Sequence, residues 1–267
     1  MFMNDNLPGV YTARRKDNSI YYRASLTCRN KHISLGSFND RAKAHQAYLE
    51  ASGLLSDPSA GIDSYTDEAS LPFEKWVVLC NFRDNEVYIP NPIYVRPKLF
   101  YYFFAPEDFY IFSREDLFYY SAHKIQRRGS HCFVSDYGSQ INILSRYGIH
   151  AHSVPGRDYR FLNGNTQDMQ YSNIEVLNPY HGVIGGDAAG YTARIHINGY
   201  VTVGSYENAI IAAIAYNKAA DICREAGMNR QYPMNYIDGL SAKSYADIYT
   251  SLTISETVRL KAVNHKA

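Results

Sequence analysis

Residues 9–51 and 182–220 carry one pattern twice, so the chain is expected to fold one unit two times. Gly9-Val10 matches Gly182-Val183, Tyr22 and Ala24 match Tyr191 and Ala193, Leu26 matches Ile195, and Leu35-Gly36-Ser37-Phe38 matches Val203-Gly204-Ser205-Tyr206. Beyond the second glycine, Ala44, Ala47, Tyr48 and Ala51 match Ala212, Ala215, Tyr216 and Ala219 at identical spacing. Each copy reads as strands of period two followed by an alanine-rich helix. In the second, Tyr191, Ala193, Ile195 and Ile197 alternate with Thr192, Arg194 and His196, Asn198-Gly199 predicts a tight hairpin, and Val201 and Val203 return. A helix over 207–220 then sets Ala209, Ala212, Ala213, Tyr216 and Ala220 on one stripe, small enough to lie close on a sheet.

The repeated pattern resembles the APETALA2/ERF DNA-binding domain, which runs G-V, A-x-I, V-x-L-G-x-F and A-A-x-A-Y-x-x-A-A. The resemblance implies a three-stranded sheet whose exposed face enters the DNA major groove while the helix packs behind. The implied exposed positions are Arg23, Ser25, Thr27, His32 and Ser34 in the first copy, and Thr192, Arg194, His196, Tyr200 and Thr202 in the second. Arg14, Arg15 and Lys16 fall in or just after the first strand, and Arg29 and Lys31 at its second hairpin. An arginine fork suits a guanine edge or a phosphate, and a lysine suits a phosphate. The second copy has only Arg194 as a fixed cation on its sheet, which points to weaker binding, packing or dimerisation.

Residues 159–178 read as an apolar start, an Asn163-Gly164-Asn165-Thr166 turn and a helix start at Ser172-Asn173-Ile174. This resembles the HNH (ββα-metal) homing-endonuclease motif, V-D-H-I-N-G-D-T-L-D-N-R-x-x-N-L, with the catalytic residues exchanged. Arg160 and Phe161 stand where the family has its metal-ligating Asp and general-base His, Met169 replaces the loop Asn, and Ser145 replaces an upstream His beside Arg146, which is itself a candidate nucleic-acid contact. The family's Asn-Leu falls on Asn173-Ile174. A one-metal nuclease needs ligands on a divalent ion and a base for the attacking water, and neither Arg160 nor Phe161 supplies them. The frame is therefore read as catalytically dead; Arg160 either meets a phosphate or is a surface charge.

Lys+Arg and Asp+Glu nearly balance at 27 and 26, which excludes a strongly basic histone-like binder. The charge is uneven, because residues 1–56 carry eight Lys/Arg against four Asp/Glu. Lys124, Arg127 and Arg128 read as a cationic hairpin tip and a second phosphate contact. The aromatic run over 99–120 could stack on bases, but its alternation within short β-prone segments reads as a half-buried sheet. The four cysteines lack C-x-x-C spacing, no secretion signal opens the chain, and no stretch approaches a membrane span, so a cytoplasmic setting is expected. His150-x-His152 is a weak metal pair without a third ligand, and His123 and His131 receive no role.

The expected fold class is α+β: two three-stranded-sheet-plus-helix units, at 1–56 and 182–240, flanking a degenerate ββα HNH-like domain at 76–181. Residues 57–75 are a linker or an extension of the first unit, 76–105 opens the central domain as strands, and 241–267 is a helical tail that docks on a neighbouring unit. The expected function is a non-catalytic binder of duplex DNA or structured RNA, of phage or mobile-element descent, with no cofactor. Two alternatives stand beside it. One is an active endonuclease with a displaced Mg²⁺ site built from Asp158, Asp168, Asn173 or His152. The other is a factor binding structured RNA or a ribonucleoprotein. A homodimer is compatible with each, and no membrane partner is expected.

Overall fold

A two-residue turn at Arg29-Asn30, both at positive φ (47° and 60°), closes the second hairpin of the computed structural model, which describes residues 7–129, 131–150, 153–185 and 190–264. Strands β1 (Val10–Arg14), β2 (Ile20–Cys28) and β3 (Lys31–Phe38) form an antiparallel sheet in chain order. Helix α1 (Arg41–Ser56) starts at Asp40, whose carboxylate accepts the Lys43 N–H at 2.8 Å. Ala44, Ala47 and Ala51 of the helix are fully buried in one cluster with Ala24, Leu26, Ile33 and Leu35 of the sheet.

Residues 57–75 extend this unit. Leu71 is fully buried, the Trp76 indole N–H donates to the Gly61 carbonyl at 3.0 Å, and Glu50 of α1 accepts the N–H groups of Ser70 and Leu71 at 3.2 and 2.8 Å. The strands expected from residue 76 are replaced at their start by helix α2 (Phe73–Asn85). Its run of buried residues, Val77 to Phe82, is continuous because neighbours cover more than one side: α1 on the one hand, the following strands on the other. Such a run carries no period that separates helix from strand. Arg83 locks the join, donating to the carbonyls of Leu54, Asp57 and Ala60 at 2.9, 2.7 and 2.7 Å around the end of α1.

The aromatic run is a half-buried sheet with its inner residues in the core, and Phe118 beyond it is exposed. The sheet strands are β5 (Leu99–Ala105) and β6 (Asp108–Ser113), beside β4 (Ile93–Val95) and followed by α3 (Leu117–Ala122). Phe100, Tyr102, Phe103, Phe112 and Tyr120 are buried, and Phe100 stacks on Phe112 with centroids 5.3 Å apart. Strands β7 (Ile125–Arg128), β8 (His131–Asp136) and β9 (Ser139–Asn142) make a further sheet, joined where the Tyr102 hydroxyl accepts the Ile125 N–H at 2.9 Å. Three short strands follow: β10 (Tyr159–Phe161), β11 (Asp168–Met169), parallel to β6, and β12 (Ile174–Val176), antiparallel to β10.

The second copy is β13 (Val183–Ile184), β14 (Tyr191–His196), β15 (Tyr200–Tyr206) and α4 (Ala209–Glu225), capped by the Asn208 side chain at the position of Asp40. It reproduces the first in detail. Ala193 pairs with Gly204 beside a bulge, as Ala24 pairs with Gly36. The Gly182 carbonyl accepts the Arg194 N–H at 2.7 Å, as Gly9 accepts Ser25 at 2.9 Å. The C-terminal segment belongs to this core: α5 (Ala242–Ser251) and α6 (Glu256–Asn264) pack on α4, Val258 and Ala262 are fully buried, and the Ser255 N–H reaches the Val203 carbonyl at 2.7 Å.

The fold is thus mixed α+β with several small sheets. Contacts divide it into two compact units, Met1–Ile141 with Asn165–Asn173, and Asn142–Gly164 with Ile174–Ala267, along other lines than the five-part division expected from sequence. No helix among the described residues is long and apolar enough to cross a membrane.

Gly9 and Gly182 sit at positive φ (74° and 70°) beneath the rings of Tyr48 and Tyr216, with which an added Cβ would collide. Gly9→Ala and Gly182→Ala are each expected to cost more than the about 1–3 kcal/mol of backbone strain alone. Gly164→Ala, at φ 75° but facing open space, isolates that strain. Chemical denaturation of the three variants measures the difference; equal losses would mean that the rings do not press on the glycines.

Candidate nucleic-acid interface

Strand register decides which cations face away from the helix. Tyr11, Arg23 and Ser37 lie side by side across the first sheet, and past the bulge Ser25 pairs with Ser34 and Thr27 with His32, all on the face opposite α1. Tyr11, Arg23, Ser25, His32 and Ser34 line one depression on that face. Ser25, expected to be exposed, is its floor at 8% exposure. Arg23 is exposed and makes no hydrogen bond or ion pair among the described residues. Arg15 extends the face, its guanidinium 5.3 Å over the Tyr21 ring and donating to Asn39 Oδ1 at 2.7 Å. Lys16 is exposed in the β1–β2 turn, where the Ser19 hydroxyl and N–H hold the Asp17 carboxyl below its usual value. Arg14 pairs with Ile20 in the register of Thr12 and Tyr22, on the helix side at the strand's open end.

The hairpin cations serve the fold. Lys31 pairs with Cys28 on the inner side, and its ammonium lies 4.8 Å over the Tyr88 ring. Arg29 donates to the Phe82 carbonyl at 3.1 Å, lies 5.6 Å over that residue's ring and approaches Glu86 at 3.8 Å. The cationic hairpin in the middle of the chain is committed as well. Lys124 bonds both Glu74 oxygens at 2.8 Å, Arg127 grips Asp108 with two bonds and lies 4.0 Å over Phe104, and exposed Arg128 covers Phe133 at 5.7 Å.

On the second sheet, Arg194 pairs with Thr202 and His196 with Tyr200, again opposite the helix. Sequence reasoning assigned this face one fixed cation; the structure adds another. Arg230, beyond the end of the repeat, places Nη1 3.0 Å from His196 Nδ1, and the Tyr232 hydroxyl donates to the His196 carbonyl at 3.2 Å. The segment around Arg230 is irregular and has no counterpart in the first copy, so neither periodicity nor self-alignment could place it.

Residues 159–178 do not form the ββα frame. The expected helix start is one 3₁₀ turn, Tyr171–Asn173, leading into β12. Buried Asn173 donates to the carbonyls of Asp168 and Asn165 at 2.8 and 3.2 Å, fixing the turn, and Ile174 then pairs with Phe161. Arg160 is ion-paired with Glu175 opposite it, Met169 is buried, exposed Ser145 bonds the Asn142 carbonyl at 2.6 Å, and Arg146 is exposed in the 3₁₀ turn Ile143–Tyr147.

The carboxylates nominated for a displaced metal site are engaged by the chain itself. Asp168 Oδ1 accepts from the Gln170 N–H and side chain at 3.1 and 3.0 Å. Asp158, 2% exposed at its side chain, accepts from the Val154 N–H at 2.8 Å, Arg157 at 2.7 Å and Asn178 at 3.0 Å. Burial works against its charged form, yet the bonds from Arg157, Asn178 and Val154 outweigh it and hold the carboxyl below its usual value. His150 Nε2 lies 3.1 Å from the Pro179 carbonyl; His152 lies outside the described residues. Among the described residues no group of three or more His, Cys, Asp or Glu could hold a metal ion.

No protein family, no curated protein and no solved structure matches this chain.

A depressed carboxyl stabilises the fold above its unfolded pKa of about 4, and that contribution is lost as pH falls through the folded value. Asp158→Asn is therefore expected to lower stability at pH 7 by about 1–3 kcal/mol, through the loss of charge-assisted bonds in a buried site. The variant should also lose less stability than the wild type between pH 5 and pH 3. Denaturant titrations across that range check both; parallel curves would show that Asp158 is not held ionised by its partners.

Proposed function

We propose that this chain is a non-enzymatic nucleic-acid-binding protein that grips duplex DNA with the outer face of its first sheet. One observation carries the reading: Arg23 stands exposed and unengaged on a strand face made of Tyr, Ser, Thr, His, Arg and one Ala, with no Asp or Glu among its described residues. In a chain with nearly balanced charge this is segregation, and it suits a polyanion. Three strands about 4.8 Å apart span roughly 10 Å, which fits a B-DNA major groove about 12 Å wide. The deep, narrow major groove of A-form RNA would not admit them. The likeness of both copies to APETALA2-type units supports the same docking mode. In 159–178 the residues nominated for metal chemistry work as turn and strand braces, which supports a stretch that has the letters of an HNH motif without a nuclease role.

The test is binding of the full chain to short duplex DNA, matched duplex RNA and single strands, over 50–200 mM salt. Arg23→Ala should weaken duplex-DNA binding and reduce the salt slope by about 0.9 for the lost phosphate contact; adding Arg15→Ala should reduce it further, and Arg14→Ala, on the helix side, should not. Arg29→Met, which loosens α2, should lower stability and leave the slope unchanged. Wild-type affinity in Arg23→Ala would overturn the assignment of this face, and tighter binding to RNA would replace DNA as the partner. Bound duplex should stay intact with Mg²⁺ or Mn²⁺; specific cleavage would overturn the non-enzymatic reading.

A further inference from the structure

The outer face of the second sheet carries a constellation that the repeat alone does not supply. Arg194 and His196 lie two residues apart on one strand face, so their Cα atoms are about 6.6 Å apart. Arg230 enters from the irregular segment after α4 and donates from Nη1 to His196 Nδ1 at 3.0 Å. Because a guanidinium can only donate, this contact makes Nδ1 the acceptor and leaves the ring's N–H on Nε2. The histidine is itself held, its carbonyl by the Tyr232 hydroxyl at 3.2 Å and its ring edge-on to Tyr200, with centroids 5.2 Å apart. Tyr200 is 72% exposed. No Asp or Glu stands among the described residues of this face, so two guanidinium groups share it without a counter-charge from the sheet. An arrangement of that kind is relieved by an anion, and two cations on one sheet face, one of them held beside the next outward residue of the strand, suit neighbouring charges on a linear polyanion.

We infer that Arg230 joins Arg194 on the second sheet to form a second site for the phosphodiester backbone of duplex DNA, with His196 as the residue that positions Arg230. This rests on the nucleic-acid reading above but on different residues. Each guanidinium takes a phosphate, and Tyr200 lies flat against the adjoining sugar or base edge. The second copy of the unit is then a working binding face whose missing cation comes from outside the repeat.

Fluorescence anisotropy with the full chain and a short DNA duplex tests it. Arg194→Gln and Arg230→Gln should each weaken binding roughly eightfold at 0.1 M salt and each lower the salt slope by about 0.9. His196→Ala should weaken binding as Arg230→Gln does, and combining those two changes should cost no more than either alone, since one acts through the other. Unfolding midpoints of the same variants, expected close to wild type, separate lost contacts from lost folding. Wild-type affinity and slope in the Arg194→Gln, Arg230→Gln double variant would overturn the second site; if Arg23→Ala weakens binding in the same series, the first-sheet reading survives that failure. The converse result, loss in the double variant with none in Arg23→Ala, would leave this site standing alone. Additive costs of His196→Ala and Arg230→Gln would overturn the positioning role.

Discussion

A sheet of three strands under a single helix is too small to bury the helix on both sides, and the architecture follows from covering the side the sheet leaves bare. In both copies the cover is the chain that comes next, and it is anchored from the same position of the repeat. Position 50 is Glu, and its carboxylate takes the N–H groups of Ser70 and Leu71 just ahead of α2. The equivalent position 218 is Lys, and its ammonium takes the carbonyls of Tyr249 and Leu252 at the end of α5, both at 2.8 Å. One copy holds the leading edge of a helix and the other a trailing end, and the charge is reversed accordingly, since free N–H groups attract anions and free carbonyls attract cations. The two extensions share no pattern in sequence; they answer the same geometric need.

That need also sorts the cations. Lys31, on the inner side of the first sheet, and Arg29, in the turn beside it, are drawn into packing over Tyr88 and Phe82, while Arg23 and His32, on the opposite face, do not take part. A shift of one residue along a strand changes a charge from a brace into a surface group. The bulge following Ala24 and Ala193 matters for the same reason. It lets Leu35 and Val203 stay buried while the glycine beside each pairs across the sheet, and it keeps Ser34 and Thr202 pointing outward.

Where the sequence repeats a strong period, the fold was readable from it. The strands and helix of both copies, the Asn198-Gly199 turn, the aromatic sheet and the docking tail all stand where alternation, turn chemistry and helical spacing put them. Helix α2 was not readable, because residues buried from two sides lose the polar stripe that marks a helix. Arg230 was not readable either, since its place on the second sheet depends on how an irregular segment runs back past His196. Sequence spacing fixes which residues share a strand face; it says nothing of side chains delivered from elsewhere.

The stretch at 159–178 shows why a motif of turn-forming residues is weak testimony about chemistry. Asn, Asp, Gly and Ser are the residues of a metal-binding loop, and they are also the residues that bond to nearby backbone in place of helix or sheet. Here the second use prevails. Asn173 spends its amide on two carbonyls, Asp168 accepts from Gln170, and Asp158 accepts from Val154, Arg157 and Asn178 while its own carbonyl takes the N–H groups of Leu177 and Asn178 at 2.8 and 2.9 Å. A carboxylate bound by three donors inside the fold would have to give them up to coordinate an ion, and the fold would lose the turn they hold. Arg160 makes the same point from the other sign, because its ion pair with Glu175 is a cross-strand contact of the β10–β12 pair. Arg23, by contrast, stands exposed on a sheet face with no hydrogen bond or ion pair among the described residues, and so is not spent on holding the chain in place.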